Sequence, residues 1–533
     1  VWAPRKSEGA ERADLWLPLK AGTDAAMLFG WLKVILDEGL YDKAFAEKWT
    51  VGFDKFKARV DEFPLSRVAQ ITGVDEELIA QSARMYAAHV SCIPWSPITD
   101  QQRNSTSAIR LICALRALCG NVDVPGGEPL QGFNPDIPEL STYEMHDVLS
   151  DEQKAKQLGS DKHPVFTYRA MGRLEEVTEK VWGYRYANLV KGSYMAVPSA
   201  VFRAMAHGDP YPVKAFIFQG NNPLLSYANM KLIYQGMMNQ DLIVAHEQFM
   251  TPSAQLADYV LPSDAWTERN SLFDGFAWMA VTKASQKAMD PPGECRSSFD
   301  FWRDLAHGMG MGNHFPWRTN EEMLDERVSK LAPSFEQFAE EYDIHIPPVG
   351  YRKYEKTGFA TPSGKVELYS ELLEEFGFDP LPYWREDPPA DPQFNLSLFT
   401  GVREDEYFQT GHRHIPELRA RKPEPQAYLN PKTAKAEGLA EGDWIEVTTK
   451  EGGCKMLVTL HDTMPEGLVR VPHGWWKPEL ARGASHGLSG AWDFADAQIC
   501  PDDEDYLDAE QGIPHLKGVP CKITRLAAME AAE

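Results

Sequence analysis

What the chain lacks narrows it first. It has no uninterrupted apolar run of the ~18 residues that a membrane helix needs; the longest candidate, 25–36, is broken by Lys33. It has no excess of positive charge. Lys and Arg number 54 against 78 Asp and Glu, a net charge of −24, which argues against nucleic acid or an anionic membrane surface as a partner. An anionic cofactor in a local basic pocket is still allowed. The cysteines, Cys92, Cys113, Cys119, Cys295, Cys454, Cys500 and Cys521, are odd in number and form no C-x-x-C. That fits buried free thiols better than a disulfide framework or a zinc site. There is no H-E-x-x-H, and the GHRH of 411–414 alone is a weak metal pattern that suits a solvated or cofactor-facing loop better. No targeting pattern opens the chain at Val1, and no internal repeat or low-complexity tract stands out. The expectation is a soluble protein, with the cytoplasm favoured over the periplasm and the compartment left open by the sequence.

What is present is enough chain for several domains, since 533 residues exceed the ~250–300 at which single cores stop growing. The stretch 214–270 organises the reading. Its apolar runs 215–218, 242–245 and 259–261 are short, rich in β-branched and aromatic residues, and flanked by Gly, Asn and Pro. Those features predict buried parallel strands. The first runs into Gly220-Asn221-Asn222-Pro223, where glycine lets backbone approach a ligand and nearby N–H groups favour an anion. The second ends at His246-Glu247, with Thr251 just beyond; a carboxylate there is placed to take donors from a purine or a ribose. An ordinary α/β core with capped helices accounts for the same residues.

Upstream, Gly22-Thr23-Asp24 precedes an amphipathic helix over 25–39, with Thr23 or Asp24 as its cap and Gly39 at its end. A second helix is predicted over 106–118, stopped by Gly120-Asn121. Residues 131–197 read as an irregular excursion in which Trp95 from upstream, Trp182 and Tyr184 are aromatic pocket or packing residues. The proline-rich 383–392 marks a linker and boundary. From 394 onward, short β runs alternate with Gly-containing turns around one small helix at 431–437, the pattern of a β-barrel.

Six motifs in this order resemble the dimethyl sulfoxide reductase superfamily of molybdenum and tungsten enzymes: APRKSEGAERADLWLPLKAGTDAA (3–26), ALRALCGNVDVPGG (114–127), FQGNNPL (218–224), ADYVLP (257–262), TPSGKVELYS (361–370) and NPKTAKAEGLAEGDWIEV (430–447). The wording of 93–95, 246–262 and 472–476 is most similar to a non-redox, tungsten-using hydratase branch. The resemblance implies an α/β protein with two incomplete Rossmann-like, doubly wound dinucleotide-binding domains and a C-terminal double-psi-type β-barrel. The expected divisions are 1–130 and 198–345 for the two α/β parts, 131–197 for the excursion, 346–392 for the linker, 393–527 for the barrel and 528–533 for a tail. It implies two molybdopterin guanine dinucleotides around one Mo or W atom. Arg5, Ser7, Gly22, Thr23 and Asp24 would hold one dinucleotide. Gly220, Asn221, Asn222, Glu247, Thr251 and Asp258 would hold the other. Gly401, Arg403, His412, His473, Gly474 and Gln511 would reach the pterins from the barrel. Asp24 and Glu247 are then expected to face open crevices on a common cleft.

Three departures accompany the resemblance. Ala3 stands where the family usually has Asp, and Glu247 where it has a shorter carboxylate. The family's cysteines for a 4Fe–4S cluster and its metal-ligating residue have no counterpart here. The expectation is therefore a C-terminal portion of such an enzyme, inactive alone and completed by an N-terminal segment or another subunit. An electron-transfer partner is implied only if the chemistry is redox. Trp95 and one of Phe276 or Trp278 are the candidates for shaping a pocket for a small apolar or aromatic substrate. The alternative is a non-catalytic homologue that binds the dinucleotides.

Overall fold

The computed structural model describes residues 1–94, 97–130, 134, 136–138, 143–183, 185, 194–273, 281–342, 344–388, 391–480 and 487–527. Its strands, in chain order, are β1 (Thr50–Val51), β2 (Ala215–Gln219), β3 (Leu242–Glu247), β4 (Tyr259–Pro262), β5 (Ser271–Phe273), β6 (Lys283–Ser285), β7 (Val366–Glu367), β8 (Leu396–Val402), β9 (Gln426–Leu429), β10 (Trp444–Thr448), β11 (Gly453–Leu460), β12 (Leu468–Pro472) and β13 (Lys517–Arg525). No described helix is long and apolar enough to cross a membrane.

The N-terminal part is built on the helix Asp24–Asp37. The sequence suggests one buried face, yet every residue but Lys33 from Asp24 to Leu36 is buried. The helices Leu65–Thr72, Glu76–Ala87 and Ser105–Leu118 surround it, and an element enclosed on all sides must be apolar all round. Gly30 allows the closest of these contacts, since a Cβ there would lie 2.9 Å from Val68 Cγ1. Gly39 ends the helix at φ +66°, as expected of a C-terminal glycine. The doubly wound sheet expected for this part is absent among the described residues. Strand pairing in this part consists of single bridges, Trp2 with Leu17 and Val122 with Glu128, and the two-residue parallel ladder of β1 with β7. Isolated strands leave their N–H and C=O groups unpaired, whereas the helices satisfy their own.

The expected linker is a strap. Within 346–388, Tyr354 and Phe359 pack on Phe45 and Trp49, while Leu368 and Leu381 join the main N-terminal core. Arg59 donates to Pro382 O at 2.9 Å and pairs with Asp379 at 2.9 Å; Arg110 donates to Pro380 O at 2.6 Å. The prolines set extended backbone, and the apolar residues between them decide where it lies.

Parallel strands β2, β3 and β4 form the predicted sheet, in that order. Helices Pro198–His207 and Met230–Met238 cover it, with Phe202, Met205, Ile233 and Met237 meeting Phe218, Ile243 and Ala245. The prediction of burial fails for β4, whose Tyr259, Val260 and Leu261 are exposed. It is an edge strand with one neighbour.

The C-terminal part is a closed six-stranded barrel in the order β10-β11-β9-β12-β8-β13. Alternate residues of β10, β11 and β13 point inward, and Ile445, Val447, Met456, Val458, Val519 and Cys521 fill the interior. The small helix Pro431–Ala436 is where the sequence places it. Residues 151–182, expected to be irregular, carry the helices Asp151–Ala155 and Glu175–Trp182.

Gly52 tests the strap. At φ +77°, its Cβ would fall 2.3 Å from Tyr369 Cβ. Gly52→Ala is expected to destabilise the protein by about 1–3 kcal/mol, read as a lower urea midpoint with an unchanged slope.

Candidate functional site

The barrel meets the N-terminal helices at Gly22. Its φ is +81°, and a Cβ would sit 2.4 Å from Lys517 O and 3.1 Å from His515 Cε1. The turn before the helix therefore lies directly on the start of β13. Thr23 makes no cap hydrogen bond to the helix; its hydroxyl donates to Lys20 O at 2.7 Å. Asp24 does not face an open crevice. It is buried, and Gln102 Nε2 donates to its Oδ2 at 2.5 Å. Burial pushes its carboxyl above the usual range, against the Gln102 hydrogen bond and the charge of Lys517. Gly401, on β8, closes the same junction, for a Cβ there would be 2.8 Å from Gln101 Oε1 and 3.2 Å from Lys517 Nζ. Lys517 is fully buried, donates to Thr400 O, and is pushed down to about 7 by burial. His515 is pushed down to about 3, by burial and then by Arg103 and Lys517.

Beside this junction lies a cavity of about 1060 Å³ walled by the N-terminal turn (Lys6, Lys20, Thr23), the strap (Trp384) and the barrel (Asp462, Gly518). Arg5 reaches toward the barrel, its Nη1 3.4 Å from His461 Nε2. Ser7 caps the short helix Glu8–Arg12, accepting from Ala10 N at 3.4 Å.

The second cluster stands at the C-terminal edge of the parallel sheet. Gly220 adopts φ +54°, and a Cβ placed there would meet nothing within 4 Å, so the backbone borders open space. Glu247 ends β3, accepts the backbone N–H groups of Asn221 and Gln248, and is raised by burial to about 7. Asn222 is buried; its Oδ1 accepts from Ser253 Oγ at 2.6 Å while its Nδ2 has no partner among the described residues. Asn221 Nδ2 donates to Tyr227 OH at 3.4 Å. Thr251 Oγ1 accepts from Ala254 N at 3.2 Å, closing the turn beyond β3. Asp258 does not join this group. It lies at the opposite end of the sheet, where its Oδ2 accepts from Ile243 N at 2.7 Å.

On the barrel, His473 and Gly474 follow β12, beside the end of its parallel neighbour β8. Asp496, fully buried, accepts from Thr400 Oγ1 at 2.6 Å, His473 Nδ1 at 3.1 Å and Gly474 N at 2.7 Å. Arg413, 1% exposed, lies against the rings of Tyr407 and Trp475 and donates to His473 O at 2.9 Å. Arg403 is exposed, and among the described residues it has no ion-pair partner; its guanidinium stands over Phe408 at 5.6 Å. His412 is exposed at φ +69°, and His414 packs on Phe249 at a ring distance of 3.4 Å, linking this loop to the one after β3. Gln511 Nε2 donates to Thr106 Oγ1 at 2.7 Å, next to the buried Asp508, which also binds Thr106. Trp95, Phe276 and Trp278 lie outside the described residues.

Gly22, Asp24, Gly401, His473 and Gly474 thus share one polar line through Lys517, Thr400 and Asp496. Gln102, His515, Lys517 and Asp496 are absent from the sequence-based set. Lys517 left a signal: it occupies an inward position of a strand whose other inward residues are Val519, Cys521 and Ile523.

The residues fit a long anionic dinucleotide ligand. A cavity adjoins the Gly22 turn, open backbone lies beside Glu247 and the unpartnered Asn222 amide, and Arg403 is a cation without an ion-pair partner among the described residues. Residues 1–307 match the family model "Molybdopterin oxidoreductase", and residues 397–492 match "Molydopterin dinucleotide binding domain". The chain belongs to the molybdopterin oxidoreductase family. It is 45% identical over 526 residues to acetylene hydratase of Syntrophotalea acetylenica, covering 97% of this chain and 72% of that protein. The solved acetylene hydratase from Pelobacter acetylenicus matches with a TM-score of 0.95 at 43% identity, covering 99% of this chain and 73% of that one. Formate dehydrogenase H of Escherichia coli is 27% identical over 507 residues, 89% of this chain and 64% of its own length.

Glu247 sets a pH dependence. Its folded carboxyl is raised above the ordinary 4.5, so the folded state holds a proton that the unfolded state has released, and stability falls as pH rises from 4.5 through about 7. In cofactor-free protein, Glu247→Gln is expected to flatten that part of the stability curve, measured by urea unfolding across the range.

Proposed function

We propose that this acetylene hydratase-like molybdopterin protein binds two molybdopterin guanine dinucleotides around one Mo or W atom and serves the addition of water to acetylene or another small apolar substrate. The observation that carries the reading is the likeness to acetylene hydratase along nearly the whole chain, at an identity well above that of the formate dehydrogenase. The reading includes a 4Fe–4S cluster alongside the cofactor, and it needs no electron-transfer partner for the net reaction.

A bound metal of this kind supplies a Lewis acid that polarises water or an unsaturated substrate. The chain's own residues bind and orient. Gly22 and Thr23 would admit one dinucleotide at the cavity, with Lys517 behind the turn as a buried amine that an anion beside it would favour in its charged form. Gly220, the Asn222 amide and Glu247 would receive the other. Glu247, poised near neutrality, accepts N–H donors from a guanine once ionised; those donors replace the water lost on burial. Arg403, His473 and Gly474 would approach the pterins from the barrel.

The test is the holoprotein from a host that makes the cofactor. Near-stoichiometric Mo or W, release of guanine nucleotide on acid treatment, and acetaldehyde formed from acetylene without an added electron acceptor are expected. Neither metal near stoichiometry removes the cofactor assignment. Acceptor-dependent oxidation of formate without acetylene hydration removes the hydratase assignment. Glu247→Gln is expected to lower retained guanine nucleotide about tenfold, since it weakens a charged hydrogen-bond acceptor.

A further inference from the structure

The Asp496 carboxylate is buried inside the barrel end with three donors on it, and none of these is a cation unless His473 is charged. Two of the donors have no choice of state. Gly474 N is a backbone amide, and Thr400 presents its hydroxyl from near the end of β8. The third is a ring nitrogen with two possible states. An ionised carboxylate only accepts, so His473 Nδ1 must carry a hydrogen. Three donors converge on this one enclosed carboxyl, Thr400 Oγ1, His473 Nδ1 and Gly474 N, and donors directed at a carboxylate favour its ionised form.

The ring is held from other sides too. Arg413 grips the His473 carbonyl, and Gly474 lies so close to Thr410 that a Cβ would meet Thr410 Cγ2 at 2.4 Å. Trp476 Nε1 donates to Thr410 O at 2.7 Å. A clasp that only joined β8 to β12 would be complete with Thr400, Asp496 and the Gly474 amide. It would not require an imidazole. Yet His473 keeps 15% of its side chain exposed, and its Nε2 has no protein partner among the described residues. One ring nitrogen is tied down and the other is presented.

We propose that Asp496 is a positioning residue that locks His473 in the Nδ1–H tautomer, so that the free Nε2 serves as a hydrogen-bond acceptor for an N–H group of a bound pterin. This rests on the cofactor reading above and adds the polarity of the contact. A histidine facing a phosphate would need a hydrogen on Nε2; this one offers a lone pair. Pterins carry ring and exocyclic N–H donors, so the pairing is chemically matched.

The experiment is nitrogen NMR on protein with labelled histidine, with and without cofactor, in the native sequence and in Asp496→Asn. His473→Gln identifies the signal. The native protein is expected to show a single neutral tautomer with hydrogen on Nδ1, and an Nε2 resonance that moves toward the hydrogen-bonded position on cofactor loading. Asp496→Asn is expected to give mixed tautomers, because an amide both donates and accepts, as in the aspartate-to-asparagine variant of the serine protease triad. It should also lower pterin retention about tenfold, the scale seen when an orienting partner is removed. Circular dichroism and the melting curve separate this from loss of fold. His473→Gln, whose amide oxygen still accepts, should retain more pterin than His473→Leu. Hydrogen on Nε2 in the native protein, or an Nε2 resonance unmoved in protein that holds its full pterin complement, overturns the proposal and leaves the cofactor reading standing. Absence of pterin from the native holoprotein removes both.

Discussion

The contact on which the architecture turns is backbone against backbone: the Gly22 turn resting on the carbonyl of Lys517. No side chain fits between them. A rigid helix Asp24–Asp37, sealed on all sides, therefore meets a closed barrel at a fixed distance. Because β8 and β12 run parallel, and β13 begins beside the end of β8, Gly401, His473 and Lys517 arrive together at that meeting point. Residues as far apart in sequence as Gly401 and Lys517 become neighbours through barrel closure, and the Gly22 turn joins them across the junction.

The electrostatics follow from that geometry. A net charge of −24 would, spread evenly, repel an anionic ligand. At the junction, however, Lys517 is buried with its amine pushed down to about 7, so that a nearby anion would draw a proton onto it, and His515 stays neutral; just past β8, Arg403 is exposed without an ion-pair partner among the described residues. Long-range repulsion between exposed charges is screened within about 10 Å in ordinary salt, while a charge formed on a buried group is screened much less. The sign of the whole molecule and the sign of its site are thus independent.

The parts of this structure that the sequence discloses are those with a local cause. The runs 215–218, 242–245 and 259–261 become parallel strands because β-branched and aromatic residues between Gly and Pro leave little alternative. The barrel follows from regular turns, the Gly22 position from motif wording, and the Gly401 position from the family resemblance. What was hidden depends on partners distant in the chain. Asp24 has the sequence setting of a ligand-facing carboxylate, but Gln102 covers it. Asp258 has the setting of the Glu247 site, but the register of β3 with β4 puts it at the other end of the sheet. Asp496 sits in a polar, aperiodic stretch where nothing local distinguishes a buried acid from an exposed one. The prolines of 383–392 suggest a linker, although Tyr383 N donates to Ser107 Oγ and Arg385 N to Asn104 Oδ1, tying its start to the helix Ser105–Leu118 and the residue before it.

That strap has a consequence for how the molecule is made. The N-terminal core includes Leu368 and Leu381, yet most of its helices have left the ribosome by residue 118. At roughly 5–20 residues per second, the nascent helices wait on the order of tens of seconds for their last apolar neighbours. During that interval they would expose a surface open to chaperones, so maturation of this core is timed by synthesis of a segment that lies, in sequence, far beyond its helices.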